Sequence, residues 1–297
     1  MHSISHEEDL SQPQLSDKPT GFPRINVSLL GRQISFITIP ELLREVEQAC
    51  QNRQRLVIAF FNVYSFNLAL HLPWFDTFMR RADIVPCDGS GILKAIKFLG
   101  LRLPLEYRTP GTVFVPELLR CGSDLDLSFF LLGAKPEHLQ TALQKIRKDY
   151  PRLNIAGHHG YFDRDDAQQN ASIVQKINQA NPDILIVGMG MPTQEQWIAH
   201  NMDNLDVRVI IPCGAIIDRL AGAVPNCPYW ISDVGLEWLY RLIREPKRLA
   251  KRYLAGNLAF ALQLVLATAY SRPLKVSRAA LKKSKLKLVD GSSVDLS

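Results

Sequence analysis

The sequence predicts an α/β protein with a Rossmann-like, doubly wound and mainly parallel sheet, followed by a helical C-terminal appendage. Short apolar runs alternate along the chain with stretches in which apolar residues recur at helical spacing. Runs such as DILIVG (183–188) are almost continuously apolar, which is typical of strands covered by helices on both faces. From about residue 229 the pattern changes to helical stretches rich in arginine.

The predicted elements follow in order along the chain. INVSLLGRQISFIT (25–38) alternates like a hairpin, and IPELLREVEQACQNRQ (39–54) has the apolar spacing of a helix. Strands are predicted over 56–61, 82–87, 127–132, 154–156, 183–187 and 207–211. Helices are predicted over 64–71, 91–99, 136–150, 164–179, 192–201 and near 216–220. This alternation of strand and helix indicates a doubly wound sheet.

Four segments follow from the changes in composition. Residues 1–24 are polar, without the apolar stretch of a secretory signal, and are predicted to be a disordered leader. Residues 25–228 form the predicted core, 229–271 the helical appendage and 272–297 a basic flexible tail. Within the appendage, Pro246 suits the first turn of a second helix. The apolar stretch 254–270 is interrupted by Asn257 and Gln263 and is too short to span a bilayer, which needs about 20 apolar residues.

Composition and charge limit the classes of function. With 46% hydrophobic and 22% charged residues the chain can form an ordinary globular core. Five cysteines without a CxxC pair indicate reduced thiols in a cytosolic setting, against a disulfide framework or a zinc site. Residues 237–288 hold thirteen lysines and arginines against two acids, whereas the rest of the chain holds 22 against 27. The basic C-terminal block therefore needs an explanation of its own.

Asp88 stands between a predicted strand and a predicted helix, in the stretch CDGSG (87–91). An acid in the loop and Lys94 at the third glycine position exclude a dinucleotide fingerprint there. Spacing alone leaves two interpretations open: a helix N-cap, worth about 1 kcal/mol, or a catalytic carboxylate. The end of a strand in this architecture is where ligands bind, which favours the second.

Glycines at other strand ends extend this predicted ligand crevice, because they allow the backbone to approach a substrate. Gly133 ends one strand, and Gly188 and Gly190 end another in GMGMPTQEQWI (188–198). Gln194 offers donors suited to a sugar hydroxyl or a phosphate oxygen at a helix N-terminus. Capping by Glu195 is the structural alternative for the same stretch. In GHHGYF (157–162), Tyr161 is a candidate for stacking or hydrogen bonding, although packing explains the stretch as well.

The appendage carries four arginines at three- and four-residue steps, which predicts one shared helical face. They are Arg241, Arg244, Arg248 and Arg252. A solvated charged face would explain one or two of them, but four beside an apolar helix favour phosphate binding. Aromatic–basic RNA motifs are absent from the sequence, so an anionic membrane surface is expected rather than nucleic acid.

Five stretches in order resemble the WecG/TagA/CpsF family, glycosyltransferase family 26, over about residues 25–260. They are ADIVPCDGSGILKAIKFLG, HHGYF, GMGMPTQEQWI, GAIIDRLAG and GLEWLYRLIREPKRLAKRYLAGN. The resemblance implies an inverting transferase at the cytoplasmic face of the bacterial plasma membrane, peripheral and without a metal or other cofactor. It implies a UDP-sugar donor and a polyprenyl-diphosphate-linked saccharide acceptor in surface polysaccharide synthesis, such as exopolysaccharide. The transferred sugar, the linkage and the oligomeric state, including a homo-oligomer, stay open.

Carried over by resemblance, the base aspartate of the family falls on Asp88 and its strand-end asparagine on Asn62. Its glutamine falls on Gln194, and its tail arginines fall on the four named above, whose guanidinium groups match diphosphate oxygens. Phe60 stands where the family commonly has threonine. YRTPGTVF (107–114) replaces E-R-V-x-G-x-D-L, so that Arg108 is kept while Tyr107 and Val113 replace two acids. These departures bear on the identity of the sugar rather than on the reaction.

Two alternatives of another class fit the same fold. One is a nucleotide-binding oxidoreductase, and the other is a non-enzymatic module that tethers a basic tail to a membrane or to nucleic acid. Binding of UDP-sugars without NAD(P) binding would exclude the first. Turnover of any UDP-sugar would exclude the second.

Overall fold

The computed structural model describes residues 22–270, 274–276 and 294–296 of the chain. Its strands are β1 Ile25–Leu29, β2 Arg32–Phe36, β3 Leu56–Val57, β4 Ser128–Gly133, β5 Asn154–His158, β6 Ile184–Gly188, β7 Val209–Pro212, β8 Leu274–Val276 and β9 Val294–Leu296. Of the predicted leader, residues 1–24, the first 21 residues lie outside the part of the chain that the structure describes. Phe22 stacks edge-on against Tyr107, whose hydroxyl donates to the Pro23 carbonyl at 2.8 Å. The predicted leader therefore does not extend through residue 24.

The described helices alternate with the core strands and then follow one another in the appendage. They are α1 Ile39–Gln51, α2 Val63–His71, α3 Pro73–Arg81, α4 Ser90–Phe98, α5 Gly111–Asp124, α6 Pro136–Asp149, α7 Ala167–Ala180, α8 Thr193–Asn201, α9 Ile216–Ala221, α10 Tyr229–Asp233, α11 Glu237–Arg244, α12 Pro246–Ala250 and α13 Gly256–Tyr270. A π-helical turn, Lys251–Ala255, joins α12 to α13. Two of these helices, α3 and α5, were not among the predicted elements.

A five-stranded parallel sheet carries the core, in the order β3-β7-β6-β4-β5. Successive residues of β6 point to opposite faces of this sheet. Leu185 packs in one apolar cluster with Ile177 of α7, whereas Ile186 packs in another with Val46 of α1 and Ile146 of α6. Helices thus cover both faces, and the predicted doubly wound, Rossmann-like class is confirmed.

The segment 82–87 runs beside β3 without forming a regular strand. It makes isolated parallel bridges, among them Ile58 with Ile84 and Phe61 with Cys87. Pro86 has no backbone N–H and so cannot donate to a regular ladder. The prediction of full strands over 56–61 and 82–87 is therefore wrong in length, although the two segments do lie side by side.

The appendage, α10 to α13, is held on the core by specific contacts. The Arg108 guanidinium donates to the carbonyl and the hydroxyl of Ser232 at 2.6 and 2.7 Å. The Asn67 side chain donates to the Gly256 carbonyl at 2.9 Å. Near it, the rings of Phe66 and Phe260 meet edge to face at 4.9 Å. Helix α2 and the segment at Arg108 therefore both hold the appendage on the core.

Strand β8 lies inside the segment 272–297, which was predicted to be a flexible tail. It pairs antiparallel with β1, in register Val27 with Val276 and Leu29 with Leu274. Leu274 and Val276 are buried in the core, so the prediction of flexibility is wrong for these three residues. Most of the remaining tail, 277–293, lies outside the described residues, while β9 pairs in parallel with β8.

Candidate functional site

A cavity of about 280 Å³ lies between the end of the segment 82–87 and the appendage. Asn62, Asp88 and Lys94 line it from the core. Glu237, Trp238, Arg241, Arg252 and Tyr253 line it from the appendage. A wider surface groove of about 660 Å³ runs along α7 and α8, and its lining includes none of these residues. Only the cavity combines a carboxylate at a strand end with arginines.

Asp88 is not the cap of the helix that follows it. The N-cap of α4 is Gly89, and no side chain caps this helix. The Asp88 backbone N–H donates to the Phe61 carbonyl at 2.9 Å, and its carboxylate accepts from the Asn62 amide Nδ2 at 3.1 Å. Of the two interpretations of Asp88, the capping one is therefore wrong. The carboxylate is directed toward α2 and the cavity instead.

Asn62 is placed by the start of α2. Its side-chain Oδ1 accepts from the backbone N–H groups of Tyr64 and Ser65 at 3.0 and 3.1 Å, and its backbone N–H donates to the Ser65 hydroxyl at 2.8 Å. This capping box fixes the amide, so that Nδ2 is free to meet Asp88. A Cβ at Gly91 would come within 2.8 Å of Val63, so glycine lets α4 and α2 converge here.

The surroundings of Asp88 raise the pKa of its carboxyl group. Burial is the largest cause, and the negative charge of Glu237 adds to it. Arg241, the Asn62 amide and the backbone of Gly111 act in the opposite direction and lower it. A carboxylate with a raised pKa binds a proton more readily than an exposed one. Asp88 is thus suited to accept a proton inside the cavity.

The appendage contributes two half-buried arginine side chains that differ in their partners. Arg241 Nη2 pairs with Glu237 Oε1 at 2.5 Å. Arg252 lies over the Tyr64 ring at 4.0 Å from its centroid and has no ion pair with any described residue. Its Nε, like that of Arg241, is buried without a hydrogen-bond partner, and burial lowers the pKa of the Arg252 guanidinium. A half-buried cation whose Nε lacks a partner favours an anionic ligand.

The other two predicted arginines do not line the cavity. Arg244 lies over the Tyr240 ring, and the exposed Arg248 pairs with Glu245 at 2.6 Å. The expectation of one shared face fails because α11 ends at Arg244, before Pro246, and because Arg252 itself lies in the π-helical turn. The four arginines are therefore divided between the cavity and the surface.

Gln194 is buried, and its side chain connects two strand-end loops. Its Oε1 accepts from the backbone N–H of Gly190 at 3.1 Å and of Gly214 at 2.8 Å, while Nε2 donates to Glu195 at 2.7 Å. These contacts give Gln194 a role in shaping the loops. Glu195 is also buried, and burial raises its pKa to about 7. The helix-capping alternative for Glu195 is not supported, since no side-chain cap occurs at α8.

The remaining predicted residues lie at the same edge of the sheet but outside the cavity lining. Gly133 and Gly188 pack against each other where β4 and β6 end, and a Cβ on Gly133 would come within 2.3 Å of the Gly188 carbonyl. Gly190 has a φ of +84°, which glycine adopts without strain. Tyr161 is 65% exposed beyond β5, and Arg108 is occupied by Ser232.

The two aromatic departures from the family pattern face the core. Phe60 is buried against Phe114 at 6.0 Å between ring centroids, and Tyr107 is buried beside Phe36. Neither lines the cavity. The departures at Phe60 and Tyr107 therefore do not alter the side chains that line this cavity.

Glu237 and Tyr253 line the cavity but were not predicted from the sequence, and neither was the nearby Arg219 of α9. Burial lowers the pKa of Arg219, as do the charges of Arg241, whereas Glu237 and Asp88 raise it. Glu237 is one of only two acids in the basic block 237–288, a signal that was visible in the sequence. Within the described residues no three His, Cys, Asp or Glu side chains come together as a metal site.

Comparison with known proteins identifies the family of this chain. The model of the glycosyl transferase WecG/TagA/CpsF family matches residues 27–274. The chain belongs to this family. It is 30% identical, over 76% of its own length and 87% of the relative, to an N-acetylglucosaminyldiphosphoundecaprenol N-acetyl-beta-D-mannosaminyltransferase of Staphylococcus aureus strain MW2. The protein of the same description from strain COL matches equally, at 30% identity over the same shares.

Membership of the WecG/TagA/CpsF family makes the chain an enzyme, a glycosyltransferase. This outcome decides against the oxidoreductase and the non-enzymatic module that the sequence had left as alternatives. The matched range includes both walls of the cavity, from Asn62 to Arg252. Among the described helices none is long and apolar enough to cross a membrane.

Proposed function

We propose that this glycosyltransferase moves a sugar from a UDP-sugar to a polyprenyl-diphosphate-linked saccharide, with inversion, at the cytoplasmic membrane face. The supporting observation is one cavity that joins Asp88 to two half-buried arginines, Arg241 and Arg252. The printed description of the relatives names an acceptor of this kind, an N-acetylglucosaminyl group on diphosphoundecaprenol. Both substrates would bring a diphosphate to the cavity.

The proposed chemistry is a single displacement. A hydroxyl oxygen of the acceptor sugar attacks the anomeric carbon of the donor, and the bond from that carbon to the diphosphate oxygen breaks. Attack from the face opposite the leaving group inverts the configuration at this carbon. The hydroxyl proton passes to the Asp88 carboxylate, which the Asn62 amide holds in place at 3.1 Å.

The leaving diphosphate develops negative charge as the bond breaks. Guanidinium groups bind phosphate oxygens through paired N–H donors, and such bonds are stronger when the site is shielded from water. Arg252 is available for this role, because it has no ion pair among the residues that the structure describes. Arg241 can join it from the same wall. The loops joined by Gln194 are proposed to shape the donor side of the site, together with Tyr161.

The appendage is proposed to dock on the anionic membrane surface. Exposed apolar side chains stand along α11 and α13, including Ile243 and Leu258, both 72% exposed, and Leu262 at 56%. Exposed basic residues Lys247 and Lys251 lie between these helices. Apolar insertion and attraction of basic residues to anionic lipids together suit a peripheral helix.

The direct test is a panel of UDP-sugars offered with synthetic N-acetylglucosaminyl diphospholipid, with the product detected by its mass. Transfer of one sugar, giving a product of the inverted configuration by NMR, is the expected result. A product with retained configuration would contradict the proposed displacement. Absence of transfer from every UDP-sugar, in a protein shown to be folded, would contradict the proposed donor class.

A further inference from the structure

Glu237 is a second carboxylate in the cavity that holds Asp88, and it enters from the opposite wall. It stands at the first position of α11, directly after the loop at Gly235. Gly235 has a φ of +77° and packs against Ser90, whose hydroxyl donates to the Gly235 carbonyl at 3.3 Å. This contact fixes the start of α11 beside the loop that carries Asp88.

Both carboxylate oxygens of Glu237 have partners. Oε1 pairs with Arg241 at 2.5 Å, one helical turn further along α11. Oε2 accepts from the Ser232 hydroxyl at 3.4 Å, and this hydroxyl in turn accepts from Arg108 at 2.7 Å. A continuous chain of hydrogen bonds and ion pairs therefore runs from Arg108 in the core to Arg241 in the cavity. Glu237 stands at its centre.

We propose that Glu237 is a positioning residue for the transfer reaction, which holds Arg241 in the cavity and opposes the charge of Asp88. This inference rests on the proposed function, because it takes Asp88 to be the base that accepts the proton of the acceptor hydroxyl. Two carboxylates that share a cavity disfavour the ionised form of each other. Glu237 thereby keeps Asp88 a stronger base than an isolated carboxylate would be.

Other groups also face Asp88, and they bear on its titration. The thiols of Cys87 and Cys213 are protonated, since burial raises the pKa of both well above the usual range. The cationic groups around Asp88 are Arg219 of α9, Arg241 of α11, Arg252 of the π-helical turn and Lys94 of α4. Glu237 is the acid that raises the pKa of Asp88, so its removal has a predictable sign.

A direct test follows the Asp88 carboxyl itself. The full-length protein is labelled with ¹³C at the aspartate carboxyl carbons, and the Asp88 signal is assigned from its loss in Asp88→Asn. In Glu237→Gln the midpoint of this titration is expected to move to lower pH, because a like charge beside Asp88 is removed. This measurement needs no substrate, so it reports on Glu237 even if the proposed donor or acceptor proves wrong.

The kinetic test uses the pH dependence of kcat/KM. Asp88 must be ionised to accept a proton, so activity is lost as the pH falls through its pKa. Glu237→Gln lowers this pKa, which moves the acid limb to lower pH and reduces the plateau several-fold, because the base is weaker. Glu245→Gln is the matched control: it removes an ion-paired acid of the same appendage that does not line the cavity, and the acid limb is expected to stay in place.

An unchanged titration midpoint and acid limb in folded Glu237→Gln would overturn the proposal, even if KM rose through the loss of Arg241. Glu237→Asp retains the charge on a shorter side chain, and it should restore most of the wild-type profile. Should Glu237→Gln fail to fold, Glu237→Ala is measured in its place: a lower midpoint for Asp88 supports the inference, and an unchanged midpoint overturns it.

Discussion

The two walls of the cavity satisfy their polar groups in different ways. On the core wall the Asn62 side chain uses Oδ1 for two backbone N–H groups and Nδ2 for Asp88. On the appendage wall, Nε of both Arg241 and Arg252 is buried without a partner. The Asn62 side chain has partners at both ends without a ligand, whereas the appendage wall has buried donors that lack partners. This difference suggests that the core wall holds the reacting proton and the appendage wall holds the charge of the substrates.

The largest effect is expected for Asp88→Asn, which keeps a hydrogen-bond acceptor for Asn62 but removes the proton acceptor. General-base catalysis is worth about 10²- to 10⁴-fold, so kcat should fall by that amount. The measurement is the steady-state rate with the sugar donor found in the panel. Asp124→Asn, an exposed acid on α5, is the control. A variant at Asp88 with near wild-type kcat would remove the proposed distinction between the walls.

A smaller effect is expected for Arg252→Gln on the opposite wall. Charge-assisted hydrogen bonds contribute about 1.5–3 kcal/mol, so kcat/KM should fall about 10- to 100-fold. Arg248→Gln is the matched control, because Arg248 belongs to the same appendage but lies outside the cavity lining. Equal losses in the two variants would show that general basicity, rather than the cavity, determines activity.

The proposed membrane docking distinguishes the exposed surface of the appendage, which would bind the membrane, from the surface of the core, which would not. The double variant Ile243→Glu with Leu258→Glu should weaken sedimentation with phosphatidylglycerol vesicles at least about tenfold, since each apolar side chain contributes about 1.5–3 kcal/mol when buried. Phe98→Glu changes a residue of α4 that is 63% exposed and serves as the control on the core. Undiminished sedimentation of the double variant would contradict docking through this face.

The smallest effect is expected for the cap on the core wall. Asn62→Ala removes the capping side chain of α2 and should lower the free energy of unfolding by about 1 kcal/mol, measured by urea denaturation. Asn62→Asp retains a good cap and should change stability little, but it places a second carboxylate beside Asp88. Full activity in Asn62→Asp would show that Asn62 acts only through the helix.

The sequence predicted β4 and β6 well because both are almost continuously apolar and end in glycine. It missed α5, where Pro116 interrupts the helical pattern, and α3, which follows α2 after a single residue. It placed Asp88 and Asn62 at strand ends correctly. Spacing alone could not show which of the four arginines line the cavity, because α11 ends at Arg244 and Arg252 lies in a π-helical turn. Glu237 stands one helical turn before its ion-pair partner Arg241, but only tertiary structure brings it into one cavity with Asp88.

Pairing of β8 with β1 fastens the appendage beyond its last helix. The appendage follows α9 and is attached to the core again at Leu274, so the chain is joined to the core on both sides of the appendage. We therefore expect a lipid-borne substrate to slide in laterally beneath the helices, with its polyprenyl chain remaining in the bilayer throughout the turnover.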